Sequence, residues 1–326
     1  MCLYPTLARN KKYEKNKKNG GNVPVPVDGR TLWVVYECNN CIECRERKAN
    51  EWRIRLLEDI RHNKNGIFVT LTFNTESLKE LSEGIKETGY ERDNKIAKIA
   101  VRRFLERWRK KNKKSVRHWL VTELGHKNTE HLHLHGIIWT DKPEDIEKIW
   151  KYGYVWKGYE KNGRIENYVS ERTVNYIVKY IHKTDADHKY YKPKVLTSAG
   201  IGKGYMTRTD KERNKFNGEK TIETYKTRSG HDMTLPKYFR NKIYSDDERE
   251  KLWIQKLDKE VTYICGIEID ISKGFDRYFN VMKTQRKINR ELGYGSNWKN
   301  PKEVETENQK RDRIMYERIK ELTPSG

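Results

Sequence analysis

The segment HLHLHG holds the densest potential for chemistry in the chain. His131, His133 and His135 alternate, and alternate residues of a β-strand point to one face. Neighbours on that face stand roughly 6.6–7 Å apart along the backbone, close enough for two imidazoles to converge on one cation. A lone histidine is usually structural, but three in line are costly to bury without a ligand, so the pattern reads as a metal site. A second cluster is NYIVKYIHK. Tyr176 and Tyr180 are four residues apart, which on a helix stacks them on one face, about one turn apart. Lys179 and Lys183 each follow a tyrosine by three residues. A tyrosine hydroxyl beside cations and an activated electrophile can act as a nucleophile. Aromatics at helical spacing are usually core, and it is the repeated Tyr-x-x-Lys unit that argues against packing alone.

Cys38, Cys41 and Cys44 form C-x₂-C-x₂-C, and Cys2 can add a fourth thiolate. A tetrahedral structural zinc is the natural use of four thiolates. Spacing this short also suits an iron–sulfur cluster, and reduced cysteines without metal are the remaining reading. Cys265 stands alone and reads as simply buried. The glycine-rich stretch GIGKG at 200–204 lacks the G-x-x-x-x-G-K-[ST] of a phosphate-binding loop. No other segment supplies one, so no ATP-driven motor is expected. GIGKG reads as a flexible loop, either touching DNA or merely connecting elements.

The composition says what these groups act on. The 326 residues carry a net charge of +22, with 36% charged and 35% hydrophobic residues. Such an imbalance draws in polyanions, and nucleic acid is the commonest partner. Nine Trp and twenty Tyr argue against wholesale disorder. No run of about 18 apolar residues appears, so no membrane partner is expected. Met1–Gly21 lacks the apolar core of a secretion signal. The expected location is a cytoplasm, where clustered cysteines favour metal over disulfides.

Elements must position these groups. Hydrophobic patterning predicts a strand at 31–37, a cysteine loop at 38–44, helices at 45–64 and 96–108, and a buried strand IFVTLTF at 67–73. Strands follow at 117–123 and 131–140, joined by a polar turn at 125–129, then helices at 144–150 and 172–183. A helix at 246–260 is announced by Ser245 and Glu248 spaced as a capping box. Residues 9–30 read as an extended basic arm and 302–322 as a marginal charged helix. On the 96–108 helix, Arg102, Arg103, Arg107 and Lys110 form a basic face, either a DNA contact or a solvated surface. The fold class is α+β around an antiparallel sheet. Three consecutive segments are expected: 1–65, the arm with the cysteine cluster and a helix; 66–192, the catalytic domain; and 193–326, a basic C-terminal region packed on the core and ending in a charged tail.

In this order, the motifs resemble the replication initiators of gokushovirus-type microviruses, within the HUH superfamily of tyrosine endonucleases. The resemblance covers most of the chain. MCLYP resembles the family's opening, CNNCIECRERKANEW its cysteine cluster and following helix, FVTLTF its first motif strand, HLHGIIW its metal-binding motif, and NYIVKYIHK its two-tyrosine motif. The resemblance implies a five-stranded antiparallel sheet flanked by helices, with histidines on a central strand and tyrosines on a facing helix. It implies that His133 and His135, with Glu123 on the preceding strand as candidate third ligand, hold a divalent metal, Mg²⁺ or Mn²⁺. Two imidazoles favour Mn²⁺ in vitro. His131 is an extra histidine that leaves the choice of pair open. Tyr176 and Tyr180 are then the nucleophiles, and Lys179 and Lys183 steady the phosphate or the tyrosinate. The implied activity is rolling-circle nicking and rejoining of single-stranded and replicative-form origin DNA, with a host helicase and polymerase, in the cytoplasm of a bacterial host. A plasmid relaxase or single-tyrosine transposase of the same superfamily is one alternative. A non-catalytic zinc-containing nucleic-acid-binding protein is another.

Overall fold

The computed structural model describes residues 1–125 and 130–322. The chain opens with a hairpin of β1 (Thr6–Arg9) and β2 (Trp33–Tyr36), followed by α1 (Ile42–His62). Next come β3 (Gly66–Thr72), α2 (Thr75–Ser82), α3 (Gly89–Asn112), β4 (Arg117–Leu124), β5 (Leu132–Trp139) and α4 (Glu144–Ile149). Short strands β6 (Val155–Trp156), β7 (Tyr159–Lys161) and β8 (Arg164–Glu166) lead to α5 (Glu171–His182) and β9 (Val195–Thr197). The remainder is the hairpin β10 (Thr224–Lys226) and β11 (Asp232–Thr234), α6 (Lys237–Ile243), α7 (Asp246–Asp258), the hairpin β12 (Val261–Ile264) and β13 (Ile267–Asp270), α8 (Asp276–Glu291) and α9 (Pro301–Glu321). Among the described residues, no helix is long and apolar enough to cross a membrane.

The α+β class and the five-stranded antiparallel sheet flanked by helices are present. Strand order is β6-β3-β5-β4-β9, with β5 in the centre. All the pairings are antiparallel. The pleat sorts its two faces. One carries Val69, Leu71, Leu120, Leu134 and Ile138, buried with Ile96, Ala100, Phe104 and Trp108 of α3. The register places His133 opposite Thr72 and Glu123, and His135 opposite Thr70 and Val121, on the other face. Gly136 is required next to His135: a Cβ there would stand 2.0 Å from the Trp119 carbonyl oxygen.

The chain divides into two compact units, Met1–Ile54 with Gly204–Trp298, and Arg55–Lys203 with Lys299–Gly326. This differs from three consecutive segments, for two reasons. The three-residue β9 extends the sheet beside β4. The expected tail is α9, a 21-residue helix in the sheet unit. It buries Met315 in the sheet's core and Arg311 in a pair with Asp93, Nε to Oδ2 2.7 Å. A buried arginine is satisfied only by tertiary partners, so the helix looks marginal in sequence.

Several local expectations also change. The arm is not extended but wound through 3-10 turns at Lys11–Tyr13, Lys17–Asn19 and Gly29–Leu32, each capped by an Asn or Asp side chain. Helix α1 starts inside the predicted cysteine loop. GIGKG is packed: Ile201 and Gly202 are buried, and the Gly202 N–H donates to Asp59 Oδ1 at 2.8 Å. Gly202 has φ +80, and a Cβ there would meet the Arg55 carbonyl oxygen at 2.8 Å. Arg117 grips both Asp59 and the Gly200 carbonyl. Four residues of the expected 125–129 turn, 126–129, lie outside the described residues. The helix behind Ser245 is present, with its reciprocal Ser245–Glu248 cap.

Candidate active site

Strand β5 offers His133 and His135 to the open face, where the rings are 6.2 Å apart. His135 is the better anchored. Its Nδ1 hydrogen-bonds to Thr70 Oγ1 at 3.0 Å. Its Nε2 lies 2.7 Å from Glu123 Oε2, yet without hydrogen-bond alignment, so Nε2 is buried with no hydrogen-bond partner. Donor atoms of two side chains brought together without sharing a proton are what a common cation requires. His133 is half-buried directly opposite Glu123. Its pKa is pushed down to about 4, chiefly by burial and also by His135, with Glu123 opposing. Both effects keep it neutral, the form that ligates metal.

His131 departs from the expected triplet. It precedes β5, and its Nδ1 is bonded to the Phe73 carbonyl at 3.0 Å. Burial and then Arg318 lower its pKa. Thr70, which orients His135, was not singled out in the sequence; its signal was a hydroxyl in the otherwise apolar alternation of FVTLTF.

Helix α5 begins at a capping box between Ser170 and Thr173. Val174, Ile177, Val178 and Ile181 are buried along it, and the ring of Tyr180 stacks on His135 at 4.5 Å and 6°. The Tyr180 hydroxyl donates to that of Tyr176 at 2.7 Å. Tyr180 is 8% exposed and Tyr176 43%. Burial, the bond to Tyr176 and the Glu123 charge all hold the Tyr180 phenol well above its usual pKa. Lys179 lies over the Tyr176 ring at 3.9 Å and 5.9 Å from the centre of the Tyr180 ring. Lys183 is the exposed C-cap of α5. The fold therefore gathers Glu123, His133, His135, Tyr176, Tyr180 and Lys179 on one face of the sheet.

It does not bring the α3 basic residues to them. That helix covers the opposite face of the sheet. Arg103 pairs with Glu80 at 2.7 Å, Arg102 with Glu106 at 3.7 Å, and the Arg107 guanidinium lies 4.9 Å from the centre of the Tyr152 ring. Lys110 is exposed there.

Cys2, Cys38, Cys41 and Cys44 converge in the other unit, their sulfurs all within 4.8 Å of one another. Among the described residues, this is the one group of three or more His, Cys, Asp or Glu side chains closed to that separation. Cys2 Sγ accepts from the N–H groups of Tyr4 at 3.4 Å and Cys38 at 3.3 Å. Cys38 Sγ accepts from those of Asn40 at 3.4 Å and Cys41 at 3.3 Å. Cys38 and Cys44 sulfurs are 4.0 Å apart, against about 3.8 Å for thiolates on one tetrahedral zinc. Hydrogen bonds from the Cys41 and Cys44 thiols hold Cys38 far below the usual thiol range, and the same bond raises Cys41 to about 12. The donor set and spacing fit a tetrahedral cation. Cys265 is half-buried beside the cluster, its thiol pushed up to about 12 by burial and by Glu43.

Comparison with known proteins points the same way. Residues 66–185 match the family of the replication-associated protein ORF2. The Replication-associated protein ORF2 of Spiroplasma virus 4 is 26% identical over 276 residues, 77% of this chain and 85% of that relative. The Replication-associated protein VP4 of Bdellovibrio phage phiMH2K is 26% identical over 171 residues, 48% of this chain and 52% of that relative. No solved structure matches.

Proposed function

We propose, from the premise that this chain is akin to the replication-associated proteins of small phages, that it initiates replication by nicking origin DNA with a tyrosine and later rejoining the strand. The observation that carries the reading is His135: its buried Nε2 stands 2.7 Å from Glu123 without sharing a proton, and Tyr180 stacks on its ring.

Glu123, His133 and His135 would hold a divalent cation. Two imidazoles with one carboxylate suit Mn²⁺ better than Mg²⁺. Such an ion polarises a phosphoryl oxygen and offsets developing charge. Tyr176 or Tyr180 attacks the scissile phosphorus through its phenol oxygen. A tyrosine–phosphorus bond forms, the bond to the 3′ oxygen breaks, the phenol proton passes to solvent, and the 3′ oxygen takes up a proton. A raised phenol pKa in the isolated site means that the tyrosinate needs positive charge beside it. Lys179, over both rings, supplies one such charge. Because one phosphodiester replaces another, the tyrosine link stores the energy for rejoining and no ATP is needed. The second tyrosine can cut the regenerated junction while the first is esterified. Lys183, one turn beyond Lys179, steadies the strand. The 3′ hydroxyl would prime a host polymerase, and a host helicase would open the duplex, in the cytoplasm of the bacterial host. The cysteine cluster would hold a structural zinc.

The test is covalent trapping. Incubated with a single-stranded origin oligonucleotide and Mn²⁺, the protein should form an adduct that peptide mapping places on Tyr176 or Tyr180. Tyr176→Phe and Tyr180→Phe should each keep some single-turnover cleavage, and the double variant none. An adduct elsewhere, or activity in the double variant, would remove the assignment.

A further inference from the structure

Beyond the metal and the nucleophile, the face of the sheet that carries them continues outward as aromatic rings. Two cross-strand rows lead to the β6 edge. His135 is paired with Thr70, and Thr70 with Trp156. His133 is paired with Thr72, whose N–H and hydroxyl both bond the Tyr154 carbonyl, at 2.9 and 3.1 Å. Ring contacts also run without a break. From His135 to Tyr180 the separation is 4.5 Å, then 5.5 Å to Tyr176, 5.9 Å to Phe68, 5.4 Å to Trp156 and 5.4 Å to Tyr159. The series begins buried and ends at Tyr159, which is 75% exposed.

We propose that this series is a stacking track: Trp156 and Tyr159 hold unpaired bases flanking the phosphate presented to Tyr176 and Tyr180, so the strand enters or leaves along the β6 edge. The proposal rests on the nicking reading for its direction, not for its chemistry. Exposed tyrosines scattered singly are ordinary on protein surfaces. Here the exposed rings are in contact with the candidate nucleophile, at the sheet's outermost strand, where β6 has a neighbour on one side only. Every base offers a π-face, so stacking tolerates any sequence, but it needs bases freed from their neighbours in a duplex. The backbone at this edge is held firm. Asn167 accepts from the Phe68 N–H at 3.1 Å and donates to the carbonyls of Phe68 at 2.6 Å and Lys157 at 2.5 Å, which fixes the loop behind Trp156 to β3. Rigid platforms lose little entropy when a base lands on them. Exposed Lys179, over the Tyr176 ring, provides a cation for the phosphates at the inner end.

The test uses the full-length chain and a fluorescent single-stranded origin oligonucleotide. Binding is read in a Tyr176→Phe/Tyr180→Phe background, which keeps both rings and prevents cleavage. Tyr159→Ala and Trp156→Ala should each weaken binding on the order of fivefold to tenfold, with Trp156→Phe recovering most of it. Affinity for a blunt duplex of the same sequence should not change. In the otherwise native protein, both alanine variants should raise KM more than they lower kcat. Removing nucleotides from one flank of the oligonucleotide should erase the difference between native and variant proteins. Trp156 also packs on Phe68, so Tyr159→Ala, at a surface position, decides the matter if Trp156→Ala misfolds. Unchanged affinity in Tyr159→Ala, or an equal loss on duplex, overturns the track. If the native protein forms no tyrosine adduct yet Tyr159→Ala still weakens single-strand binding, the nicking reading falls and the track stands.

Discussion

The cysteine cluster and the histidine face are both arranged for a cation, and they differ in closure. Four sulfurs lie within 4.8 Å of one another, three of them buried. On the histidine face only His135 and Glu123 touch, and His133 stands off with its ring 6.2 Å from that of His135. A structural site fills every coordination position with protein, whereas a catalytic site leaves positions for substrate. The surroundings agree. The sulfurs are packed with Leu3, Ile264, Ile269 and Met282, while the histidines face a helix carrying a half-exposed tyrosine. Closure therefore separates a cation that holds a fold together from one that works on a ligand.

The largest expected effect would break that contrast at the cysteines. Metal binding to four thiolates amounts to about 10–16 kcal/mol of apparent folding free energy in small zinc domains. Cys41→Ser should lose the metal and cause cooperative unfolding of its unit at ordinary temperatures, read by elemental analysis and circular dichroism. Freshly purified native protein containing neither zinc nor iron would show that the cluster is only a thiol core.

His135→Ala should do the opposite. Several kcal/mol of charge stabilisation in the transition state is at stake, so nicking should fall by roughly 10²–10³-fold. DNA affinity, carried mainly by Lys and Arg neutralising phosphates, should stay within about twofold. Thermal stability should change little beside that of Cys41→Ser. A nicking rate equal to the native one would mean that the histidine face holds no catalytic metal.

The smallest effect sharpens the comparison with a histidine that already has its partners. His188 is buried, its Nδ1 2.7 Å from Asp185 and its Nε2 3.4 Å from Glu130. Burial alone would lower its pKa, but the two carboxylates reverse that and the net shift is upward. A raised pKa adds stability that is fully present below the unfolded value of about 6.5 and is lost as pH rises through the folded value. His188→Gln should therefore cost more stability at pH 5.5 than at pH 9, by urea denaturation. Equal losses at both pH values would show that the ion pairs contribute nothing through the proton.

Much of the site was legible in linear form, because period two and period 3.6 are local properties of the backbone. HLHLHG gave the strand and its metal-facing side, and NYIVKYIHK gave the helix and its tyrosine pair. The resemblance added the five-stranded sheet, which is present. His131 misled for a local reason as well: β5 begins one residue later, and the Phe73 carbonyl captures its ring. The elements missed are those whose stability is borrowed. Strands β6 and β9 have two and three residues and exist only as additions to β3 and β4. Helix α8 buries only Met282 and Asn289, so it has almost no apolar stripe to read.

Spacing and residue type were enough to establish which groups carry chemistry and which of them share a face, since strand and helix geometry impose that before any packing occurs. Their meeting required the folded chain. The approach of Glu123 to His135, the stacking of Tyr180 on that ring, and the aromatic series from Tyr176 to Tyr159 all join different elements. Such contacts depend on sheet register and on how a helix lies across the sheet. The basic face of α3 makes the same point in reverse. Its charges were plain in the sequence, but the register of Leu120 and Leu134 sends that helix to the far side of the sheet from the histidines, because apolar burial sets where a helix docks and surface charge does not.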